Sequence, residues 1–158
     1  MGSQGRLDRV AIAVHDIDKA REFYSDLLGI KFDETIIDDQ AGVSVAYSRA
    51  GFELISPHTG GGPFAQALFR FLEEHGEGVN VVTVVVDDLD IAVTHFADRG
   101  VFPIATVVAG EGKEVLFDPA ELHGVPLVLN ECPDPHPMTT AALVPGTQQA
   151  VGAVLSPI

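Results

Sequence analysis

An internal repeat constrains this chain more than any other sequence feature. Residues 10–20 read Val-Ala-Ile-Ala-Val-His-Asp-Ile-Asp-Lys-Ala, and residues 82–92 read Val-Thr-Val-Val-Val-Asp-Asp-Leu-Asp-Ile-Ala, at an offset of 72 residues. Each copy has a short apolar run typical of a strand, then an aspartate, then a helical pattern. Self-similarity at a fixed period is the signature of a repeated structural unit. The chain is therefore predicted to contain two copies of one supersecondary structure.

The helical part of each copy carries start and stop signals. Asp16 as N-cap and Gly29 as terminator predict a helix over 17–28. The spacing of its apolar residues is that of an amphipathic helix. These residues are Ile17, Ala20, Phe23, Tyr24, Leu27 and Leu28. The second copy repeats the signals with Asp88 as cap and Gly100 as terminator.

Strand-like runs follow each helix, so each half reads β-α-β-β-β. The predicted strands are 30–37, 42–48 and 51–56 in the first half, and 101–108, 113–118 and 125–130 in the second. Between the halves, Pro63 and a regular apolar spacing predict a helix over 63–75. The preceding run Gly60-Gly-Gly62 lacks the Lys and Ser/Thr of a phosphate-binding loop, so it is interpreted as a flexible segment or a tight lid.

Neither half can bury its sheet face alone, so the two halves are expected to pack as one domain over residues 7–131. That domain comprises repeat one (7–57), the linker helix (63–75) and repeat two (78–131). The segment 132–158 opens with a proline-rich run that disfavours helix and central strand. It is predicted to be a frayed end or an arm that packs on its own subunit or on a partner.

Composition and charge exclude several classes of function. The formal net charge of −14 repels phosphate backbones and anionic membrane surfaces, so neither nucleic acid nor membrane is an expected partner. No apolar run approaches the roughly 20 residues that span a bilayer, and residues 1–7 lack the layout of a signal peptide. A cytoplasmic protein is expected. The acidity either maintains solubility or attracts a cationic ligand.

The repeat and the sequences of its strands resemble the vicinal-oxygen-chelate (glyoxalase/bleomycin resistance) superfamily, and within it the methylmalonyl-CoA epimerases. The resemblance covers about residues 7–131. The matching stretches are Val10-Ala-Ile-Ala-Val-His-Asp-Ile-Asp-Lys-Ala-Arg-Glu-Phe-Tyr24, Leu28-Gly-Ile30, Gly42-Val-Ser-Val-Ala46, Phe52-Glu-Leu-Ile-Ser-Pro57, Gly78-Val79 and Val84-Val-Val-Asp-Asp-Leu89. The resemblance implies an α+β fold in which two tandem β-α-β-β-β modules form a cup-shaped, partly open eight-stranded barrel.

The same resemblance implies a divalent-metal site of four inward side chains, but this chain departs from it. The family pattern has His, Gln or Glu, His and Glu at positions that fall here on Arg9, Glu53, Val81 and Val128. Only Glu53 is a plausible ligand, because a guanidinium repels a metal ion and valine offers it no donor. No metal and no other cofactor is therefore expected.

Arg9 and Glu53 are expected to face the same cup and to come within hydrogen-bonding distance. One interpretation is a structural ion pair that fills the space where the family pattern has its metal ion. The other is a site in which Arg9 binds a substrate oxyanion or carboxylate while Glu53 acts as general acid or base. His123 at the cup rim is a further catalytic candidate, and Glu34 is a weaker one. Side chains expected to line the ligand space are Arg9, Tyr47, Val81, Thr83, Phe117 and Val128.

Three functions remain open from the sequence. The first is a metal-independent isomerase or lyase that acts on a small carbonyl or acyl substrate by Arg-assisted acid/base chemistry. The second is a non-catalytic protein that sequesters a small molecule such as an antibiotic. The third is a methylmalonyl-CoA epimerase-like isomerase, although the carboxylate that the family carries at Val128 is absent. A small-molecule ligand and a homodimer are expected in each case.

Overall fold

The strands of this chain form one curled sheet, in which the two sequence copies occupy the two halves. The computed structural model describes residues 4–109, 112–131 and 154–157. In chain order its elements are β1 (Arg6–Ala13), α1 (Ile17–Leu28), β2 (Ile36–Asp38), β3 (Val43–Ser48), β4 (Phe52–Pro57), α2 (Pro63–His75), β5 (Gly78–Val85), α3 (Leu89–Ala97), β6 (Pro103–Ala109), β7 (Gly112–Phe117), a 3-10 turn (Pro119–Glu121), β8 (Leu127–Glu131) and β9 (Val154–Pro157).

The strand order β2-β3-β4-β1-β5-β8-β7-β6-β9 reflects the repeat. In each half the first strand pairs in parallel with the last, β1 with β4 and β5 with β8. The halves join through the antiparallel pair β1–β5 at the centre of the sheet. The predicted α+β cup of two β-α-β-β-β modules is confirmed.

The two faces of the sheet bury different helices. On one face α1 and α3 pack against residues such as Ile12, Leu54 and Leu129. On the opposite face, here called the cup face, Leu68 and Leu72 of α2 pack against strands β1, β3 and β4. Strand residues alternate between faces, so neighbours in sequence enter different cores. Among the described residues no helix is long and apolar enough to cross a membrane.

The predicted helices are present, with one correction to α1. Its N-cap Asp16 accepts a hydrogen bond from the Lys19 N–H, and Gly29 ends it in the left-handed conformation. Only part of the predicted stripe contacts the sheet, however, because Phe23 and Leu27 are 59% and 63% exposed, and no residue of α1 is fully buried. The sheet contacts the line through Ile17, Ala20 and Tyr24 instead. The predicted apolar face was wider than the face that the sheet covers.

Most predicted strands are present with shifted ends, but the strand predicted over 30–37 is largely wrong. Only Ile36–Asp38 pairs as β2. Residues before it are irregular, held at one point by the Asp33 N–H, which donates to the Tyr47 carbonyl. Of the arm predicted over 132–158, residues 132–153 and 158 lie outside the described residues. Residues 154–157 form β9 at the sheet edge beside β6.

The glycine run before α2 makes a close backbone contact. A Cβ on Gly42, which has a φ of +71°, would lie 2.4 Å from the Gly61 Cα. The His58 N–H also donates to the Gly42 carbonyl over 2.7 Å. Only glycine fits both the conformation and the space at position 42. The glycine run therefore packs closely against the turn before β3, next to the start of α2.

Gly42→Ala is expected to destabilise the protein more than Gly60→Ala. Both residues have positive φ, but a Cβ on Gly60 meets nothing within 4 Å. Left-handed strain alone costs about 1 kcal/mol at Gly60, while the clash at Gly42 adds about 2 kcal/mol. Urea unfolding of both variants measures the difference. Equal losses would show that the Gly42–Gly61 contact is not tight.

Candidate functional site

A buried guanidinium surrounded by three carboxylates lies near the centre of the sheet. The Arg9 Nε donates to Glu53 Oε2 over 2.5 Å, its Nη1 to Asp8 Oδ2 over 2.8 Å, and its Nη2 to Glu114 Oε1 over 2.7 Å. The Arg9 and Glu53 side chains are each 9% exposed, and those of Asp8 and Glu114 are 17% exposed. The contact between Arg9 and Glu53 that the sequence predicts is therefore present.

Strand register brings these side chains together from both halves of the chain. Glu53 on β4 is opposite Tyr47 on β3, and β4 runs beside β1, which carries Arg9. On the other side of β1, Thr83 of β5 is opposite Arg9. Glu114 of β7 is opposite Asn130 of β8. The site thus spans the β1–β5 junction, with Glu53 from the first half and Glu114 from the second.

The second half contributes a polar group of its own. The Asn130 Nδ2 donates to Glu114 Oε1 over 2.9 Å, so one carboxylate oxygen receives hydrogen bonds from both Asn130 and Arg9. Asn130 Oδ1 and Thr83 Oγ1 are buried and have no hydrogen-bond partner within the described residues. A buried polar atom without a partner costs about 1–3 kcal/mol, so these two atoms lower the stability of the fold at this place.

Tyr47 supplies an aromatic wall and a protonated hydroxyl. The Arg9 Cζ lies 5.9 Å from the centre of the Tyr47 ring, within the range of a cation–π contact. Burial raises the pKa of Tyr47 well above its ordinary value, and the nearby Glu53 carboxylate raises it further. The phenol therefore stays protonated and can donate a hydrogen bond, but it does not serve as a base.

Burial and the unequal numbers of positive and negative charges together shift the pKa values of Arg9 and Glu53. Burial alone would lower the pKa of Arg9, but the Glu53 and Glu114 carboxylates raise it well above the ordinary arginine value. Burial raises the pKa of Glu53, Arg9 opposes that shift, and repulsion from Glu114 and Asp8 adds to it. The pKa of Glu53 is raised, whereas a carboxyl in an isolated ion pair has a lowered pKa, because burial together with repulsion from Glu114 and Asp8 outweighs the attraction of Arg9. Arg9 stays charged, whereas Glu53 holds a proton more readily than an ordinary carboxyl.

The guanidinium keeps hydrogen-bonding capacity after these contacts. Arginine has five N–H donors, and three of them are directed at Glu53, Asp8 and Glu114. Within the described part of the chain, one N–H on each terminal nitrogen is left. The N–H groups of a guanidinium suit a carboxylate or an oxyanion. The site can therefore hold an anionic oxygen beside a carboxyl group with a raised pKa.

The structure separates the other predicted site residues into two groups. Thr83 and Val128 are buried opposite each other on β5 and β8 beside the cluster, and Val81 is half-buried on the same strand as Thr83. Phe117 is a correction, since it packs in the core beside α3 with its ring centre 4.7 Å from that of Phe96. Phe117 lies three residues from Glu114, so strand alternation directs the two side chains to opposite faces.

His123 and Glu34 are not joined to the cluster. His123 is exposed, with a φ of +56°, in the turn between β7 and β8. In residues 4–109 and 112–131 no hydrogen bond or ion pair links it to Arg9 or Glu53. Glu34 is exposed in the irregular segment before β2.

Sequence reasoning missed Asp8, Glu114 and Asn130. Asp8 is adjacent to Arg9 in sequence, so a contact between the two side chains could have been predicted from the sequence. The alternation of β7 was the signal for Glu114, because it shares a face with Leu116, which is opposite Val128. Asn130 follows Val128 by two residues and shares its face for the same reason.

The donor set does not fit a transition metal. The four positions to which the resemblance assigns ligands hold Arg9, Glu53, Val81 and Val128, of which only Glu53 carries a suitable donor. No group of three or more His, Cys, Asp or Glu side chains that could hold a metal ion occurs in the described ranges. The cationic guanidinium in contact with Glu53 opposes a second cation at the same place.

Comparison with known proteins identifies a family. The family model described as Glyoxalase/Bleomycin resistance protein/Dioxygenase superfamily matches residues 8–117. Mitochondrial methylmalonyl-CoA epimerase of Bos taurus is 31% identical over 134 residues, which is 80% of this chain and 74% of that protein.

Solved structures give the same result. Methylmalonyl-CoA epimerase from Mycobacterium tuberculosis has a TM-score of 0.66 at 27% identity, covering 79% of this chain and 86% of that chain. A variant of Streptomyces coelicolor methylmalonyl-CoA epimerase in complex with 2-nitronate-propionyl-CoA has a TM-score of 0.66 at 25% identity, covering 80% and 96% of the two chains.

Proposed function

We propose, from the premise that this chain belongs to the Glyoxalase/Bleomycin resistance protein/Dioxygenase superfamily, that it is an isomerase-type enzyme working without a metal ion. Its substrate is a small acyl or carbonyl compound with an acidic proton next to the carbonyl group. Arg9 binds the oxygen on which negative charge develops, and Glu53 moves the proton. Thr83, Tyr47, Val81 and Val128 line the substrate space.

The contact of the Arg9 guanidinium with Glu53 is the observation that carries this proposal. An enolate forms when a base takes a proton from the carbon beside a carbonyl, and its oxygen must then be stabilised. Fixed donors aimed at a developing oxyanion are among the largest contributions to catalysis. Arg9 has two further N–H groups for that oxygen, and Glu53 is buried within reach of the same place.

Arg9 also explains how the chemistry proceeds without a metal. A metal ion in such a site polarises the substrate oxygen. A buried guanidinium supplies fixed positive charge to that oxygen, although as a weaker electrophile. The Glu53 and Glu114 carboxylates hold the guanidinium in one orientation, so it is oriented before the substrate binds. Such preorganisation lowers the cost of reorientation during the reaction.

An acyl-CoA is the first substrate class to test. The relatives are named as methylmalonyl-CoA epimerases, and one related structure contains 2-nitronate-propionyl-CoA. A surface cleft of about 300 Å³ lies at the end of β3, and no residue of the Arg9 cluster lines it. It is lined by Ile30, Lys31, Asp33, Ser48, Arg49 and Ala50. Lys31 and Arg49 make no ion pair with any described residue, so both are available to phosphate groups.

Proton exchange tests the proposal directly. Chelator-treated protein is mixed with methylmalonyl-CoA in D₂O, and the signal of the proton at C2 is followed by NMR. We expect loss of that signal much faster than in protein-free buffer, because Glu53 exchanges its proton with solvent between turnovers. Protein boiled before mixing is the control. A rate equal to that of the control with every 2-acyl thioester tried would contradict an isomerase.

A second candidate function has one observation in its favour. The cluster has three carboxylates and one guanidinium, which favours a cationic ligand in a site that only binds. Thermal unfolding with bleomycin-type cationic antibiotics and with acyl-CoA compounds separates the two functions. Stabilisation by the cationic compounds without any proton exchange would favour sequestration.

We also propose that the protein is a cytoplasmic homodimer that binds neither nucleic acid nor membranes. The exposed apolar residues Phe23 and Leu27 of α1 support an interface between copies. The net charge of −14 supports the absence of polyanionic partners. Sedimentation equilibrium at micromolar concentration measures the oligomeric state, and a monomer throughout would contradict the dimer.

A further inference from the structure

The two ends of the eight-stranded cup differ in strand length and in charge. β2 at one end has three residues and finishes at the buried Asp38. β6 at the other end has seven residues, Pro-Ile-Ala-Thr-Val-Val-Ala, and none of them is charged. Short strands and inward-pointing charges keep a sheet edge from pairing with another chain. The β2 edge has both of these features, and the β6 edge has neither.

β9 covers the outer edge of β6 only in part. It pairs antiparallel with Ala105–Val108, so the first two residues of β6 lie beyond the last residue pair. At this uncovered end Phe102 and Ile104 are 59% and 55% exposed. An unpaired strand edge next to exposed apolar side chains is a surface to which another chain binds readily.

The contact that holds β9 in place is small. Four residues of β9 pair with four residues of β6, and fixing the backbone of a residue costs about as much free energy as one hydrogen bond returns. The strand registers place four residues in one row across the second half, namely Glu131, Lys113, Val108 and Val154. That row is about 14 Å long at the usual strand spacing. Residues 132–153 can span several times this distance, so chain connectivity alone does not hold β9 on β6.

We propose that the outer edge of β6 is a self-association surface, on which β6 of a second copy of this chain pairs antiparallel, and that β9 blocks this surface. The proposal does not rest on the reaction proposed above, because Arg9, Glu53 and Glu114 lie on other strands. It also differs from the contact through α1, since β6 and α1 are separate elements.

A second copy fits this edge better than a charged peptide does. Two identical strands related by a two-fold axis pair antiparallel, and pairing centred on Thr106 places Ile104 of one copy opposite Val108 of the other. No like charges then meet across the pair, and β-branched side chains favour the pairing. Such a pair joins up to seven residues of each copy, whereas β9 offers four. Release of β9 therefore exchanges a short pairing for a longer one.

Leu155→Pro combined with Ser156→Pro in the full chain tests the proposal. Adjacent residues of a strand direct their N–H groups to opposite sides, so one of the two prolines removes a donor to β6. We expect the β6 amides of this proline variant to exchange faster by mass spectrometry. Sedimentation equilibrium should give about twice the mass of the unsubstituted protein, as pairing of two copies requires.

Two additions to the proline variant identify the surface. Thr106→Lys should restore the mass of the unsubstituted protein, because lysines on two paired β6 strands repel each other. Phe23→Asp on α1 is the matched control and should leave the doubling unchanged. A synthetic peptide of residues 150–158 in excess should lower the mass by occupying β6, whereas a peptide of the same composition in scrambled order should not.

Three results would overturn the proposal. The first is an unchanged mass although β6 exchanges faster, and the second is unchanged exchange of β6, which would mean that β9 does not protect this edge. The third is a doubled mass that persists with Thr106→Lys, which would place the contact elsewhere. Circular dichroism checks the fold of each variant. If the proline variant is unfolded, Leu155→Gly combined with Ser156→Gly replaces it with the same expected results, because glycine also weakens a strand.

Discussion

Arg9→Met is expected to destabilise the protein by about 3–5 kcal/mol at pH 7, because the substitution leaves three carboxylates without their shared cation. Asp8, Glu53 and Glu114 each lose a hydrogen bond to the guanidinium. Methionine has a similar length, so packing changes little. Urea unfolding followed by circular dichroism gives the free energy of unfolding.

The pH dependence of Arg9→Met separates charge from packing. Without the cation, burial and mutual repulsion raise the pKa of the three carboxyl groups in the folded protein. The folded state then binds more protons than the unfolded chain, so stability falls as pH rises above the ordinary carboxyl value. The deficit against the unsubstituted protein should be larger at pH 7 than at pH 4.5. Arg6→Met, at an exposed position of the same strand, should change stability by less than about 0.5 kcal/mol. A loss below about 1 kcal/mol in Arg9→Met would contradict the buried cluster.

Glu53→Gln is expected to lower the rate of proton exchange by about 10²–10⁴-fold, the range typical of a positioned acid/base group. Glutamine keeps the shape and still accepts the Arg9 N–H, but it cannot carry the proton. The substitution also removes one of the mutually repelling anions, so the fold should be retained. NMR exchange rates with methylmalonyl-CoA, compared with those of the exposed-site variant Glu121→Gln, measure the effect.

The stability of Glu53→Gln provides an independent check on the raised pKa of Glu53. A raised carboxyl pKa in the folded state means that stability is greatest below the unfolded value and declines as pH rises through the folded value. Glu53→Gln removes that decline, so its stability curve should be flatter than that of the unsubstituted protein above pH 4.5. Unchanged exchange together with an unchanged pH curve would show that Glu53 is neither buried in charged form nor catalytic.

Local signals in the sequence were sufficient for the helices. The N-cap Asp16 and the terminator Gly29 determined the ends of α1, because capping depends on a few adjacent residues. The width of the face that α1 buries could not be predicted from nearby residues, because it depends on how much of the helix the sheet covers. Phe23 and Leu27 match the helical spacing and are nevertheless exposed.

Pairing between distant strands was harder to predict. The segment before β2 has strand-like residues, but only Ile36–Asp38 finds a partner in β3. Strand propensity depends on such neighbours more than helix propensity does. The overall cup was predictable because the repeat and the resemblance supplied the pairing that local patterns lack.

Part of the candidate site was predictable, because the repeat and the resemblance also define which face of each strand points into the cup. Arg9 and Glu53 lie on strands whose faces the repeat defines, and their contact was predicted. Glu114 was missed because Phe117 was predicted to line the ligand space. Residues three apart on a strand lie on opposite faces, so that prediction placed Glu114 on the face away from the ligand. A shift of one residue in a strand exchanges its two faces. The register of β7 against β8 shows which assignment holds.

We propose that the Arg9 guanidinium occupies the place to which the family resemblance assigns a metal ion. Calorimetric titration of Co²⁺ into chelator-treated protein tests it most directly. We predict no stoichiometric binding at micromolar concentrations, because Arg9 repels the ion and Val81 and Val128 offer it no donor. Binding of one Co²⁺ per chain that disappears in Glu53→Gln would contradict the claim.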